Sequence, residues 1–258
     1  MSNYLYEVWI CFLAGAGAGI GTGFAGMSAA TVITPMLVTF RGVDAYDPMA
    51  SALASDVLAS AVSAYTYARN KSIDIRNGLV MMVSVLVMTT VGSWLSSLVP
   101  SSALGNTSVL MLVLLGLKFL ILPVTSTRRT MEGESLAIRV LKGILGGSVI
   151  GLVCGFFGAG GGMMMLLVLT VVLGYELKTA VGTSVFIMTF SALTGAVSHV
   201  AMGSRPQPDL LVLCILFTLG WAQVAARIAT RASTLLLNRM TGAVLTVLGV
   251  VLIVINYC

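Results

Sequence analysis

Five glycines occur within the eight residues 155–162, inside an uncharged run of 33 residues from Gly143 to Tyr175. Each glycine costs roughly 0.5–1 kcal/mol relative to alanine in a helix interior, so the stretch predicts a helix break. Where a helix restarts after a break, its first backbone N–H groups lack partners and its dipole end is positive. The chemistry that such a stretch offers is the binding of a small anion by backbone N–H groups.

A weaker copy of this pattern lies 132 residues earlier, where Gly23-Phe24-Ala25-Gly26 corresponds to Gly155-Phe156-Phe157-Gly158. In each copy a cluster of small and polar residues follows about 20 residues later, at 50–56 and 180–184. Two helix restarts that converge, with nearby hydroxyl groups, would form one anion site. The predicted substrate-binding residues are Gly23, Gly26, Ser28, Thr31, Ser51, Ser55, Gly158, Gly160, Gly161, Gly162, Thr183 and Ser184. The alternative is that the glycines only permit close helix packing.

Asp56 is the only acidic residue within the otherwise apolar segment from Pro48 to Ala68. An ionisable residue in a membrane segment is by default a candidate functional residue. Asp56 could take up a proton and couple flux to a proton gradient. It could also form a buried pair with Lys118, the lone basic residue in a later apolar segment. Both interpretations remain open, and they are compatible.

The composition indicates what must hold these residues in place. The chain has 258 residues, of which 58% are hydrophobic and 9% charged. Soluble domains carry about 25% charged residues, so we predict an integral membrane protein. The four cysteines are scattered and predict neither a metal site nor a disulfide framework, and no cofactor is expected. No basic cluster suggests nucleic acid, and no catalytic constellation suggests an enzyme. The first apolar segment lacks the basic start of a signal peptide and is expected to be retained.

The lengths of the uncharged runs suggest how the chain enters the membrane. Val8 to Phe40 has 33 residues, as does Gly143 to Tyr175. One straight helix of this size would be about 50 Å long, against a hydrocarbon core of about 30 Å. Two full crossings would need about 40 residues. We therefore predict that each run is a broken element that enters the membrane and returns to the same side.

Basic residues outside the apolar segments support this arrangement. If every later apolar segment crosses once, 11 Lys and Arg residues lie on one side and 2 on the other, whereas single crossings by the long runs would give 8 and 5. The positive-inside rule favours the first arrangement. We predict an all-α polytopic protein of the cell (plasma) membrane, with both termini extracytoplasmic. Its two inverted repeats are residues 1–126 and 127–258, each a broken or re-entrant glycine-rich helical element followed by three membrane helices.

The order Gly158-Ala159-Gly160-Gly161-Gly162, Gly174 and Ala180-Val181-Gly182-Thr183-Ser184 resembles the TauE/SafE, or sulfite exporter, family of anion permeases. In the first repeat, Met27-Ser28-Ala29-Ala30 replaces the expected glycine triplet. The resemblance implies transport of sulfite, organosulfonates or related small anions without ATP. We therefore expect a secondary-active, alternating-access transporter whose partners are a small anion and the bilayer, with homo-oligomers left open. The alternative is a passive anion channel with the same lining, and an intramembrane enzyme has no support.

Overall fold

The computed structural model describes residues 2–41, 46–96, 113–114, 116–123, 135–157, 161–201 and 207–257. These residues form helices, which we number α1 Ser2–Ala25, α2 Ala30–Arg41, α3 Tyr46–Arg69, α4 Ile75–Ser96, α5 Leu136–Phe157, α6 Gly161–Leu167, α7 Leu177–Ala201, α8 Pro208–Arg231 and α9 Thr234–Tyr257. Residues 113–114 and 116–121 are also helical. The described part contains no strand, and 4 of its helices are long and apolar enough to cross a membrane. The prediction of an all-α polytopic membrane protein is confirmed.

The chain reverses direction between α1 and α2. Gly26 lies in the left-handed region, with φ +61°, directly after α1. Val32 packs against Gly17 and Met27 packs against Gly21, so α2 runs back along α1. α1 has 24 residues and α2 has 12, which corresponds to about 36 Å and about 18 Å. The first run is therefore a broken hairpin whose second arm is too short to cross the membrane.

A second hairpin of the same design begins the second half of the chain. α6 continues into a π-helical segment, Val168–Val172. Together they cover residues 161–172, the same length as α2. Val168 and Leu173 pack against Gly146 of α5, so this arm also runs back along the helix that precedes it.

Two helix pairs pack through glycine faces with a spacing of four residues, and the pairs connect the two halves reciprocally. Gly15, Gly19 and Gly23 place the backbone of α1 against α8. Gly143, Gly147 and Gly151 place the backbone of α5 against α4. Small residues at this spacing let helix backbones approach closely in membranes. The first helix of each half therefore packs through its glycine face against a helix of the other half.

The helices that carry the two polar clusters, α3 and α7, pack against each other in opposite directions. Leu53 of α3 contacts Gly195 of α7, and Tyr67 lies beside Gly182 at the other end of the pair. Between these contacts the hydroxyl of Thr189 donates to that of Ser60 over 3.3 Å. The two helices therefore run antiparallel.

One end of the helix bundle carries most of the basic residues. The start of α7 meets the end of α8, where the Lys178 amine donates to the carbonyl of Thr230 over 3.1 Å. The starts of α4 and α5 meet through a 3.3 Å hydrogen bond from Arg139 to Asn77. The described basic residues on these helix ends and the adjoining turns are Arg69, Lys71, Arg76, Arg139, Lys142, Lys178, Arg227, Arg231 and Arg239.

Candidate functional site

The end of α1 leaves backbone carbonyls that must find partners within the protein, because the bilayer core offers none. Two of them are satisfied by the chain that follows the break. The N–H of Gly26 donates to the Thr22 carbonyl over 2.9 Å, and the N–H of Met27 donates to the Gly21 carbonyl over 3.3 Å. Glycine at position 26 permits the positive φ that this helix ending requires.

Two further carbonyls of α1 are satisfied by side chains from other helices. The Tyr67 hydroxyl donates to the Gly23 carbonyl over 2.8 Å, and the Thr241 hydroxyl donates to the Phe24 carbonyl over 3.1 Å. Tyr67 belongs to α3 and Thr241 to α9, and both side chains are fully buried. The break is therefore held in a defined geometry by residues from both halves of the chain.

Asp56 lies at the other side of this break, where α2 begins. The Ser28 hydroxyl donates to Asp56 Oδ2 over 2.6 Å, and the backbone N–H of Ala29 faces the same carboxyl group. Asp56 is 0% exposed, and its second oxygen, Oδ1, has no hydrogen-bond partner. α2 starts at Ala30, so the carboxyl group lies at the positive end of the α2 dipole.

The two glycine breaks meet beside this carboxyl group. A Cβ added to Gly162, in the first turn of α6, would collide with the Gly26 carbonyl and lie 2.9 Å from the Ser28 backbone nitrogen. A Cβ added to Gly26 would collide with the Ser184 hydroxyl of α7. We call Gly26, Ser28, Asp56, Gly162 and Ser184 the glycine junction. The structure thus brings five of the predicted residues together, from both halves of the chain.

The other predicted residues lie elsewhere or are engaged differently. Gly23 faces Ala222, Ala225 and Ala226 of α8, a helix-packing contact. The sequence did not distinguish this position from the break itself, because both carry glycine. The Ser55 hydroxyl donates to the Ser51 carbonyl over 2.8 Å within α3.

Three further predicted residues lie near helix starts, and two are outside the described part of the chain. Thr31 occupies the first turn of α2, and Gly161 is the first residue of α6. Thr183 lies next to the junction and accepts a hydrogen bond from the Asp74 backbone N–H over 3.1 Å. Gly158 and Gly160 are outside the described residues.

The predicted pair between Asp56 and Lys118 is not formed. The Lys118 amine lies over the Phe119 ring, 4.5 Å from its centre. In the described part of the chain, Ser28 and Ala29 are the polar groups recorded at the Asp56 carboxyl. The sequence alone could not decide whether this pair forms. Among the described residues, no contact joins the helix of Lys118 to α3 at the depth of Asp56. One of the two interpretations of Asp56 is therefore removed.

A buried polar network at the basic end of the bundle was not anticipated from the sequence. The Tyr175 hydroxyl donates to Asp74 Oδ2 over 2.7 Å, and the Asn77 backbone N–H donates to Asp74 Oδ1 over 3.1 Å. The Asn77 side-chain amide also donates to Asp74, and Arg139 donates to Asn77. Thr183, which directly precedes Ser184 of the junction, is also part of this Asp74 network. A signal was present in the sequence, since Asp74 is an N-cap residue directly before an apolar helix.

Comparison with known proteins identifies the family to which the sequence belongs. A family model described as "Sulfite exporter TauE/SafE" matches residues 11–252. The "Probable membrane transporter protein YunE" of Bacillus subtilis (strain 168) is 24% identical over 198 residues, with 72% of this chain and 72% of that protein covered. "Probable membrane transporter protein YdhB" of the same organism is 23% identical over 209 residues, with 81% and 85% covered. The chain therefore belongs to the sulfite exporter TauE/SafE family of membrane transporters.

Proposed function

We propose that this protein is a secondary-active transporter of a small sulfur-containing anion, such as sulfite or a sulfonate, and that the anion binds at the glycine junction. The observation that carries the proposal is the contact of Gly162 with Gly26 and Ser28, because it joins the two glycine breaks at one place. Backbone N–H groups at the start of α2 offer donors for oxyanion oxygens. The hydroxyls of Ser28 and Ser184, which here donate to Asp56 and to the Val181 carbonyl, would turn to the anion when it binds.

The close contact between the two glycine breaks supports a carrier that alternates between two states. Gly162 is in backbone contact with Gly26, and Ser184 fills the space beside Gly26. An anion could enter only if the two breaks separate, so binding requires movement of one half against the other. A passive channel with the same lining would need these contacts open on both sides at once.

The antiparallel pairing of α3 with α7 and the reciprocal glycine faces support two repeats of inverted orientation. Equivalent helices of an inverted repeat must run in opposite directions through the membrane. The clustering of nine described basic residues at one bundle end supports a cytoplasmic location for that end. Both termini would then be extracytoplasmic.

Asp56 supports coupling of this transport to protons. Its carboxyl group is buried at the junction, it has no basic partner in the described part of the chain, and Oδ1 is free to carry a proton. A buried carboxyl group without a counter-ion is most easily accommodated when it is neutral. Proton uptake from one side and release to the other would then accompany each transport cycle.

The test is flux into proteoliposomes that contain the purified full-length protein. Labelled sulfite, methanesulfonate and acetate should be compared, with and without an inward proton gradient. We expect saturable uptake of a sulfur-containing anion, stimulated by the gradient and by unlabelled substrate on the opposite side. Absence of flux for all three anions would refute the proposal. Flux without saturation or stimulation from the opposite side would indicate a channel.

A further inference from the structure

The glycine junction already contains a negative group where a substrate anion would bind. Asp56 accepts a hydrogen bond from Ser28 and faces the N–H of Ala29, the two residues directly before α2. These are the donors that a helix start offers to an anion. An ionised Asp56 therefore acts as an internal anion on the same donors.

A substrate bound at the junction would lie within a few ångströms of this carboxyl group. Gly162 contacts both Gly26 and Ser28, and the Ser28 hydroxyl is 2.6 Å from Asp56 Oδ2. Two like charges at such a separation, even with partial screening, weaken binding by about a hundredfold. The described part of the chain places no basic side chain on Asp56 that could offset this repulsion.

The helices packed against Asp56 hold few other titratable groups at its depth. Tyr67 lies eleven residues further along α3 and donates to Gly23. Cys11 and Cys214 are buried against each other between α1 and α8. The remaining titratable or charged residues of α1, α2, α3, α7 and α8 lie at or near helix ends, and they are Tyr4, Tyr6, Glu7, Arg41, Tyr46, Asp47, Tyr65, Arg69, Lys178, His199, Asp209, Arg227 and Arg231.

We infer that Asp56 and the substrate anion exclude each other unless Asp56 carries a proton, so that the site binds one proton with each monoanion. This inference rests on the proposed function. The proton enters from the aqueous side on which the site opens, binds Oδ1 of Asp56, and leaves with the anion on the opposite side. Because one positive and one negative charge move together, transport is electroneutral.

The test uses methanesulfonate, a monoanion from about pH 5 to about pH 8, over which a carboxyl group can titrate. Binding to the purified wild-type protein should be weaker at the upper end of this range than at the lower end, by up to about a hundredfold. The Asp56→Asn variant, which cannot lose a proton, should bind equally well at both ends and as tightly as the wild type at the lower end.

Transport in proteoliposomes provides a second readout. Asp56→Asn should exchange methanesulfonate across the membrane yet fail to accumulate it under an inward proton gradient. In the wild type, one proton should enter with each methanesulfonate, and a membrane potential should not alter the rate. The ratio of protons to methanesulfonate in the wild type tests the same coupling even if the variant fails to fold.

Several results would overturn this inference. They are wild-type binding that does not change with pH, a ratio of protons to methanesulfonate that differs from one, and a folded Asp56→Asn protein that binds no methanesulfonate. If the wild type transports methanesulfonate without protons, only this inference fails. If it transports neither methanesulfonate nor sulfite, the proposed function fails with it.

Discussion

At the scale of the residue, glycines in this protein have two different tasks. Gly26 adopts a positive φ at the end of α1, and Gly162 allows two backbones to touch. Gly19, by contrast, lies inside a continuous helix and removes a side chain from a packing face. Only a break produces a helix start with unpaired backbone N–H groups, which are the donors that the proposed anion site uses.

Gly162→Ala should impair both folding and transport. Its Cβ would meet the backbone of Gly26 and Ser28, which cannot move aside as a flexible side chain could. Overpacking of this kind costs about 1–3 kcal/mol. We expect a lower melting temperature in detergent and strongly reduced sulfonate flux in proteoliposomes.

The matched control for Gly162→Ala is Gly220→Ala. Gly220 lies in α8, and a Cβ there would meet nothing within 4 Å. This variant should keep wild-type melting temperature and flux, and it should be slightly stabilised by the better helix propensity of alanine. Normal flux in Gly162→Ala would show that the backbone contact has no part in transport.

The sequence predicted the positions of the two breaks because glycine density signals them directly. It did not predict that Gly23 packs against α8, since composition alone does not separate a break from a glycine face. The spacing Gly15, Gly19, Gly23 does separate them, because residues four apart lie on one side of a helix. Similarly, Asp56, Ser60, Ser63 and Tyr67 lie on one face of α3, a pattern that would have indicated Tyr67.

At the scale of the element, the Asp74 network ties the turn between α3 and α4 to the start of α7. Asp74 bonds Tyr175 and Thr183, and the Ser72 carbonyl is in close contact with Gly182. These contacts join the two halves at the basic end of the bundle. If the halves separate during transport, this connection must break when the junction opens toward that end.

Tyr175→Phe should weaken this connection. The variant removes one hydrogen bond to the buried Asp74 carboxyl group, and a hydrogen bond to a charged group contributes about 1.5–3 kcal/mol. In a background without native cysteines, Ser184→Cys should react faster with a maleimide from the basic side when Tyr175→Phe is present. The control is Tyr65→Phe, since Tyr65 is 64% exposed on α3. Equal labelling rates in the two variants would show that the network does not control access.

The Asp74 network was less accessible to sequence reasoning than the breaks. Its members come from the α3–α4 turn, α4, α5 and the segment before α7, so they are distant in the chain. A single sequence reports which residues are polar and where helices begin. It does not report which turns meet, because those pairings arise only when helices pack.

At the scale of the whole molecule, the main feature is the relative direction of the packed helices. α1 and α8 run parallel, as do α4 and α5, whereas α3 and α7 run antiparallel. Nine of the described basic residues share one end of this arrangement, whereas Arg41 and Lys118 do not. Counting the Lys and Arg residues between apolar segments predicted this grouping. The count needs only the sequence, because the positive-inside rule concerns residues in loops and not tertiary contacts.

Labelling of single cysteines tests this orientation in intact cells. In a background without native cysteines, Gln207→Cys at the start of α8 should react with an impermeant maleimide added outside. Lys71→Cys, at the basic end, should react only after the membrane is permeabilised. Both positions are exposed in the structure, so access is not limited by packing. The reverse labelling pattern would show that the basic end is extracytoplasmic.

The reciprocal glycine faces have a consequence for biosynthesis. The glycine face of α1 stays uncovered until α8 has been synthesised. The surface of α4 that packs against the glycine face of α5 likewise stays uncovered until α5 has been synthesised. During translation the first half must therefore remain in the bilayer with an unfilled groove until the second half follows.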